Sequence, residues 1–92
     1  MDFEWDAAKA RANLRKHGVS FADAAAAFYD RLPVTIADPD HSDGERRFLL
    51  IGMMVLGRVV VLSHTDRGRR LRIISARRAD RRERVNYEKD RN

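Results

Sequence analysis

Arg72, Arg77 and Arg78 lie close together in a stretch of the chain that is rich in arginine, and such clusters serve phosphate chemistry. Residues 67–92 hold eleven Lys/Arg and four Asp/Glu, a net of +7, whereas residues 1–66 hold eight and ten, a net of −2. Sixteen of the nineteen basic residues are arginine. The guanidinium is a planar fork that meets phosphate oxygens two at a time and stacks on bases, so this asymmetry points to nucleic acid. A coding bias toward arginine produces the same composition, so placement has to decide. In Arg70-Leu71-Arg72-Ile73-Ile74-Ser75-Ala76-Arg77, strand alternation puts Leu71, Ile73, Ser75 and Arg77 on one face. Arg70, Arg72, Ile74 and Ala76 take the other. Arg72 is then mid-strand, either guarding a sheet edge against aggregation or aimed rigidly at a phosphate. Arg77 and Arg78 precede a helix whose first amides would complete a phosphate seat. The plain alternative is a solvated run of charge.

Histidine is the usual proton carrier near neutral pH, and the chain has three. His17 closes a helix, where a cation also complements the helix dipole. His41 sits in a polar loop. His64 ends a valine-rich strand and shares a face with Val60 and Leu62. His64 and His17 are therefore the acid/base candidates. Tyr87 and Arg84 stand three apart on the last helix, where tyrosine either stacks on a base or anchors the helix. Glu83 is a candidate base as well as a helix cap. The loop of residues 38–45 is acidic but does not fit a calcium loop: Ser42 holds an acidic position, Gly44 comes one place late, and no helix flanks it. With no cysteine, thiolate nucleophiles, disulfides and cysteine-based zinc sites are excluded. No serine sits in a G-x-S-x-G context. Neither metal nor cofactor is expected.

These groups need a scaffold of 92 residues, which makes one domain. Phe3-Glu4-Trp5 alternates like a short strand. Asp6 caps a helix over 7–17 that carries Ala7, Ala10, Leu14 and His17 on one face and ends at Gly18. Ser20, with Asp23 three later, opens a second helix with apolar Phe21, Ala24, Ala25 and Phe28, ending before Pro33. Strands follow at 34–37, 47–55, 58–64 and 70–76, joined by turns at Leu56-Gly57 and Thr65-Asp66-Arg67-Gly68. Asp80 and Glu83 form a capping box for a polar helix over 81–89. The order is β-α-α-β-β-β-β-α, an α+β fold with helices against a small antiparallel sheet. The acidic start has no signal-peptide character. The apolar runs fall short of the ~20 residues of a membrane span, so a soluble cytoplasmic protein is expected.

Several strings, spread in order along nearly the whole chain, resemble the BrnT toxins. They are Phe3-Glu4-Trp5-Asp6 with Lys9, Lys16-His17-Gly18-Val19-Ser20-Phe21, and Asp38-Pro39-Asp40-His41-Ser42 with Gly44-Glu45-Arg46. The ending Arg72-Ile73-Ile74-Ser75-Ala76-Arg77-Arg78-Ala79, with Arg82-Glu83-Arg84 and Tyr87, is the strongest. One departure is Asp80, where threonine or a similar cap is expected. The resemblance implies a RelE-like fold and a type II ribonuclease toxin that stops translation. It further implies a BrnA-like antitoxin with a ribbon-helix-helix part, operator DNA being bound only through the complex.

RNA cleavage without metal uses the 2′-OH against the adjacent phosphorus. It needs a base, an acid and positive charge on the phosphorane, the last usually weighing most. Arg72 and Arg77 are expected to stabilise the phosphorane, with His64 and His17 moving protons. Arg78 is expected to position the phosphate, with RNA contacts from Lys16, Arg70, Arg84 and Tyr87. Two other readings remain open: a nucleic-acid-binding module without catalysis, and a basic helix that docks an acidic protein.

Overall fold

The computed structural model describes residues 1–38 and 45–89. In chain order it has β1 (Asp2–Glu4), α1 (Ala7–His17), α2 (Phe21–Ala24) continued by a 3₁₀ segment (Ala25–Tyr29), β2 (Val34–Ala37) and β3 (Arg47–Met53). A 3₁₀ turn (Val55–Gly57), β4 (Val59–Arg67), β5 (Arg70–Arg78) and α3 (Arg81–Lys89) complete it. No helix among the described residues is long and apolar enough to cross a membrane.

Local signals set the helix ends. The Asp6 carboxylate accepts the Lys9 N–H at 2.9 Å, and Gly18 closes α1 at φ +70°. Ser20 Oγ accepts the Asp23 N–H at 3.0 Å. The second helix tightens to 3₁₀ after one turn, as helix ends commonly do. There it runs against β3 at Gly52, where a Cβ would lie 2.8 Å from the Ala27 carbonyl oxygen. Only glycine allows that approach.

The five strands form one sheet in the order β1-β5-β4-β3-β2. Strands β2 to β5 are antiparallel as expected, but β1 pairs parallel with β5, Phe3 opposite Leu71 and Glu4 opposite Arg72. The sheet is therefore mixed. Parallel neighbours are joined by no hairpin turn, and three residues carry too little pattern to declare a partner. The β4–β5 ladder also runs further than the sequence implies. Thr65, Asp66 and Arg67 pair with Arg72, Leu71 and Arg70 around a turn at Gly68, and β5 continues through Arg78.

The core lies between α1, α2 with its 3₁₀ segment, and one sheet face. Val19, Phe21, Ala24, Ala25 and Ala27 pack with Leu50, Val60, Leu62, Ile73 and Ala76. The buried face of α1 differs from the one expected. Leu14 is 49% exposed, whereas Asn13 is buried. The Asn13 side-chain amide donates to the Ala76 carbonyl at 2.8 Å and the Val19 carbonyl at 3.0 Å, and its oxygen accepts the Ala76 N–H at 3.1 Å. A side chain able to answer both polar groups of Ala76 takes the place that apolar periodicity assigns to leucine.

Asn13→Ala removes three buried hydrogen bonds and orphans the backbone groups they satisfied. It should lower unfolding stability by about 2–4 kcal/mol, read as a lower midpoint in urea. An unchanged midpoint would mean that α1 is not held by this contact.

Candidate nucleic-acid interface

The arginine strand has a bulge that alternation alone does not reveal. Ser63 pairs with Ser75, and His64 with Ile73, so Ile74 has no opposite residue. The extra residue resets the faces. Ile73 and Ala76, three apart, both enter the core, at 2% and 0% exposure. The expected grouping of Arg77 with Leu71 and Ile73 is thereby corrected. Arg72 and Arg77 both point away from the helix layer, while alternation puts Arg78 on the side of Ala76.

Both arginines expected to stabilise a phosphorane are already engaged. The Arg72 Nη1 donates to Glu4 Oε2 at 2.7 Å, across the parallel β1–β5 pair. Arg77 makes a two-point contact with Glu83, Nη1 to Oε1 at 2.7 Å and Nη2 to Oε2 at 2.8 Å. Glu83 Oε1 also accepts the Asp80 N–H at 2.9 Å, while Asp80 Oδ1 accepts the Glu83 N–H at 2.8 Å. This is the capping box read from the sequence, extended by a guanidinium. The Arg77 hydrogen bond holds the Glu83 carboxyl below its ordinary range, and the same bond raises Arg77. The phosphate seat expected at the start of α3 is thus filled by the protein's own carboxylates. Arg77 lies five positions along the strand from Arg72, roughly 15 Å away. The structure does not bring them onto one phosphate.

A different set of arginines does converge. Arg58, Arg78 and Arg84, with Gly57, Val59 and Ala79, line a cleft of about 190 Å³. They come from the β3–β4 connection, the end of β5 and the exposed side of α3. None of the three guanidiniums has a hydrogen bond or ion pair among the described residues. Arg78 and Arg84 were expected to bind RNA; Arg58 was not. It is a lone arginine before a valine-rich strand, and only the β4–β5 pairing brings it beside Arg78.

The remaining candidates separate by burial. His64 is 5% exposed, between Phe28, edge-on at 4.9 Å, and Phe48, stacked at 5.7 Å. Neither of its ring nitrogens has a partner among the described residues. Burial lowers its pKa, opposed by the charge of Asp66. The core-edge reading fits this position, and a proton-transfer role does not. Tyr87, expected to offer a ring to RNA, is 2% exposed, and its hydroxyl donates to Asp30 Oδ2. Asp30 also accepts the Met53 and Leu32 N–H groups. Tyr87 is therefore an anchor that ties α3 to the far end of β3. His17 is half-buried and Lys16 exposed at the end of α1, and Arg70 is exposed opposite Asp2. His41 lies outside the described residues.

Residues 5–83 match a family model described as "Ribonuclease toxin, BrnT, of type II toxin-antitoxin system". Among solved structures, the chain is similar to the crystal structure of the Brucella abortus ribonuclease toxin BrnT. The two share 26% identity and superpose with a TM-score of 0.65, over 88% of this chain and 99% of that one. No match was found among curated protein sequences.

The histidine gives a prediction with a definite sign. Because His64 titrates below its unfolded value of 6.5, the unfolded chain binds the proton more readily. Its contribution is whole above that value and is lost as pH falls below it. His64→Phe keeps an aromatic ring and should flatten the decline in thermal stability between pH 7.5 and 5.5. An equally steep decline in the variant would show that His64 is not the group responsible.

Proposed function

The chain belongs to the BrnT family of type II ribonuclease toxins, and from that membership we propose that it cleaves RNA without a metal ion, by attack of a 2′-OH on the adjacent phosphorus. The observation that carries the reading is the junction of β5 and α3. There a two-point ion pair fixes the Arg77 guanidinium next to Arg78, which has no ion pair among the described residues. A guanidinium set before substrate arrives stabilises developing charge without reorganising, and catalysis of this kind depends on that.

In this reading Arg77 stabilises the phosphorane and Glu83 positions Arg77. Arg78 and Arg84 hold the RNA backbone. Arg72, tied to Glu4, and Arg70 contact the backbone further along β5. His17, with Lys16 beside it, moves a proton, since the ring nitrogens of His64 are sealed from solvent. Cleavage stops translation and growth. A type II toxin has an antitoxin partner. We take it to be BrnA-like, with a ribbon-helix-helix part, covering the exposed polar surface of α3 and binding operator DNA only as the complex.

Arg77→Ala should lower RNA cleavage by about 100-fold, the cost of one well-placed donor, and abolish growth arrest on induction. Glu83→Gln, which keeps the cap but weakens the ion pair, should give an intermediate loss. Circular dichroism and antitoxin binding should stay unchanged for both. Parent-level toxicity of Arg77→Ala would overturn the assignment. Intact transcripts after induction of the parent would mark a binder without catalysis.

A further inference from the structure

We propose that Arg58, Arg78 and Arg84 form a phosphodiester subsite that grips single-stranded RNA beside the cleaved bond, with the exposed tip of the β3–β4 loop as the surface a base rests on. The proposal rests on the ribonuclease reading and adds to it a place and a residue, Arg58. Three other arginines of the β5 region have a carboxylate partner, Arg67 with Glu45, Arg72 with Glu4 and Arg77 with Glu83, while Arg69 and Arg70 stand exposed away from the cleft. The three around the cleft have no such partner among the described residues, although three separate elements bring them together. Convergent like charges oppose folding unless an anion joins them. Guanidiniums facing a shallow cleft match phosphate oxygens in both charge and shape.

The loop beside the cleft carries a second, independent signal. Leu56 is the one non-glycine residue with positive φ among the described residues, at +67°, and it is 87% exposed. A branched side chain in the left-handed region is strained, and such strain gathers at functional sites. Its neighbour Val55 is 62% exposed, and Gly57, at φ +74°, lines the cleft without a Cβ to narrow it. An apolar tip held open next to three guanidiniums offers a base an apolar surface while the phosphate meets the arginines, the two contacts that single-stranded nucleic acid uses.

The test is binding of a fluorescent 2′-O-methyl RNA decamer, followed by anisotropy across a salt series. That probe has no free 2′-OH, so binding is read apart from cleavage. Arg58→Gln and Arg84→Gln should each weaken binding about tenfold and reduce the log–log salt slope by ~0.7, the release expected for one phosphate contact on a single strand. Arg58→Lys should keep the slope. Arg31→Gln, an exposed arginine outside the cleft, should change affinity least. Unchanged affinity and slope in folded Arg58→Gln and Arg84→Gln would overturn the subsite. Weaker antitoxin binding with unchanged RNA binding would also overturn it, in favour of an acidic protein face. A parent that binds the decamer but cuts no RNA would sink the ribonuclease reading alone, and a parent that binds none would sink both.

Discussion

Past Arg72 the outer edge of β5 has no strand beside it among the described residues, because β1 pairs only with residues 70–72. Its exposed ladder groups must be answered by something else, or a buried N–H and C=O go unpaired. Asn13 answers both at Ala76 and also holds the Val19 carbonyl just beyond the end of α1. One amide thus finishes the sheet edge and docks the first helix. It also fixes the backbone immediately before Arg77 and Arg78. The position of the arginine junction follows from it, as does the seating of Lys16 and His17 one turn further along α1.

From that fixed point the arginines divide by their company. Arg72 and Arg77 are paired, yet their side chains stay 30% and 43% exposed. Ion pairs this close to solvent contribute only about 0–1 kcal/mol. Their value is positional: a two-point contact holds a guanidinium in one orientation. Arg58, Arg78 and Arg84 are the reverse, converging without a counter-charge among the described residues. Tyr87 makes this arrangement durable. Its hydroxyl contact with Asp30 secures a helix that otherwise has almost no apolar face, and so keeps Arg84 over the cleft.

Features written in short stretches were legible in the sequence. Asp6, Gly18, Ser20 and the Asp80–Glu83 box act within one helical turn, and each stands where it was read. The family resemblance, carried by strings along the chain, agrees with the matched region and with the fold. The Ile74 bulge was not legible, since nothing in Ile73-Ile74-Ser75 marks which residue loses its partner. That single residue reversed the face assigned to Arg77. Periodicity placed Leu14 inside and passed over Asn13, because the demand that Asn13 meets is created by a strand sixty-three residues away. Arg58 drew no notice and Tyr87 was left between stacking on a base and anchoring its helix for the same reason: their surroundings depend on which distant elements meet them.

The central claim is that RNA meets the β5–α3 junction and the cleft next to it. The most direct measurement is a two-dimensional amide NMR titration of the ¹⁵N-labelled protein with an uncleavable 2′-O-methyl RNA. The account predicts the largest shifts at residues 56–58, 77–79 and 81–84, with little change around Trp5 and Leu14 on the opposite side of α1. Shifts centred on that Trp5–Leu14 surface, or none at the junction, would contradict it.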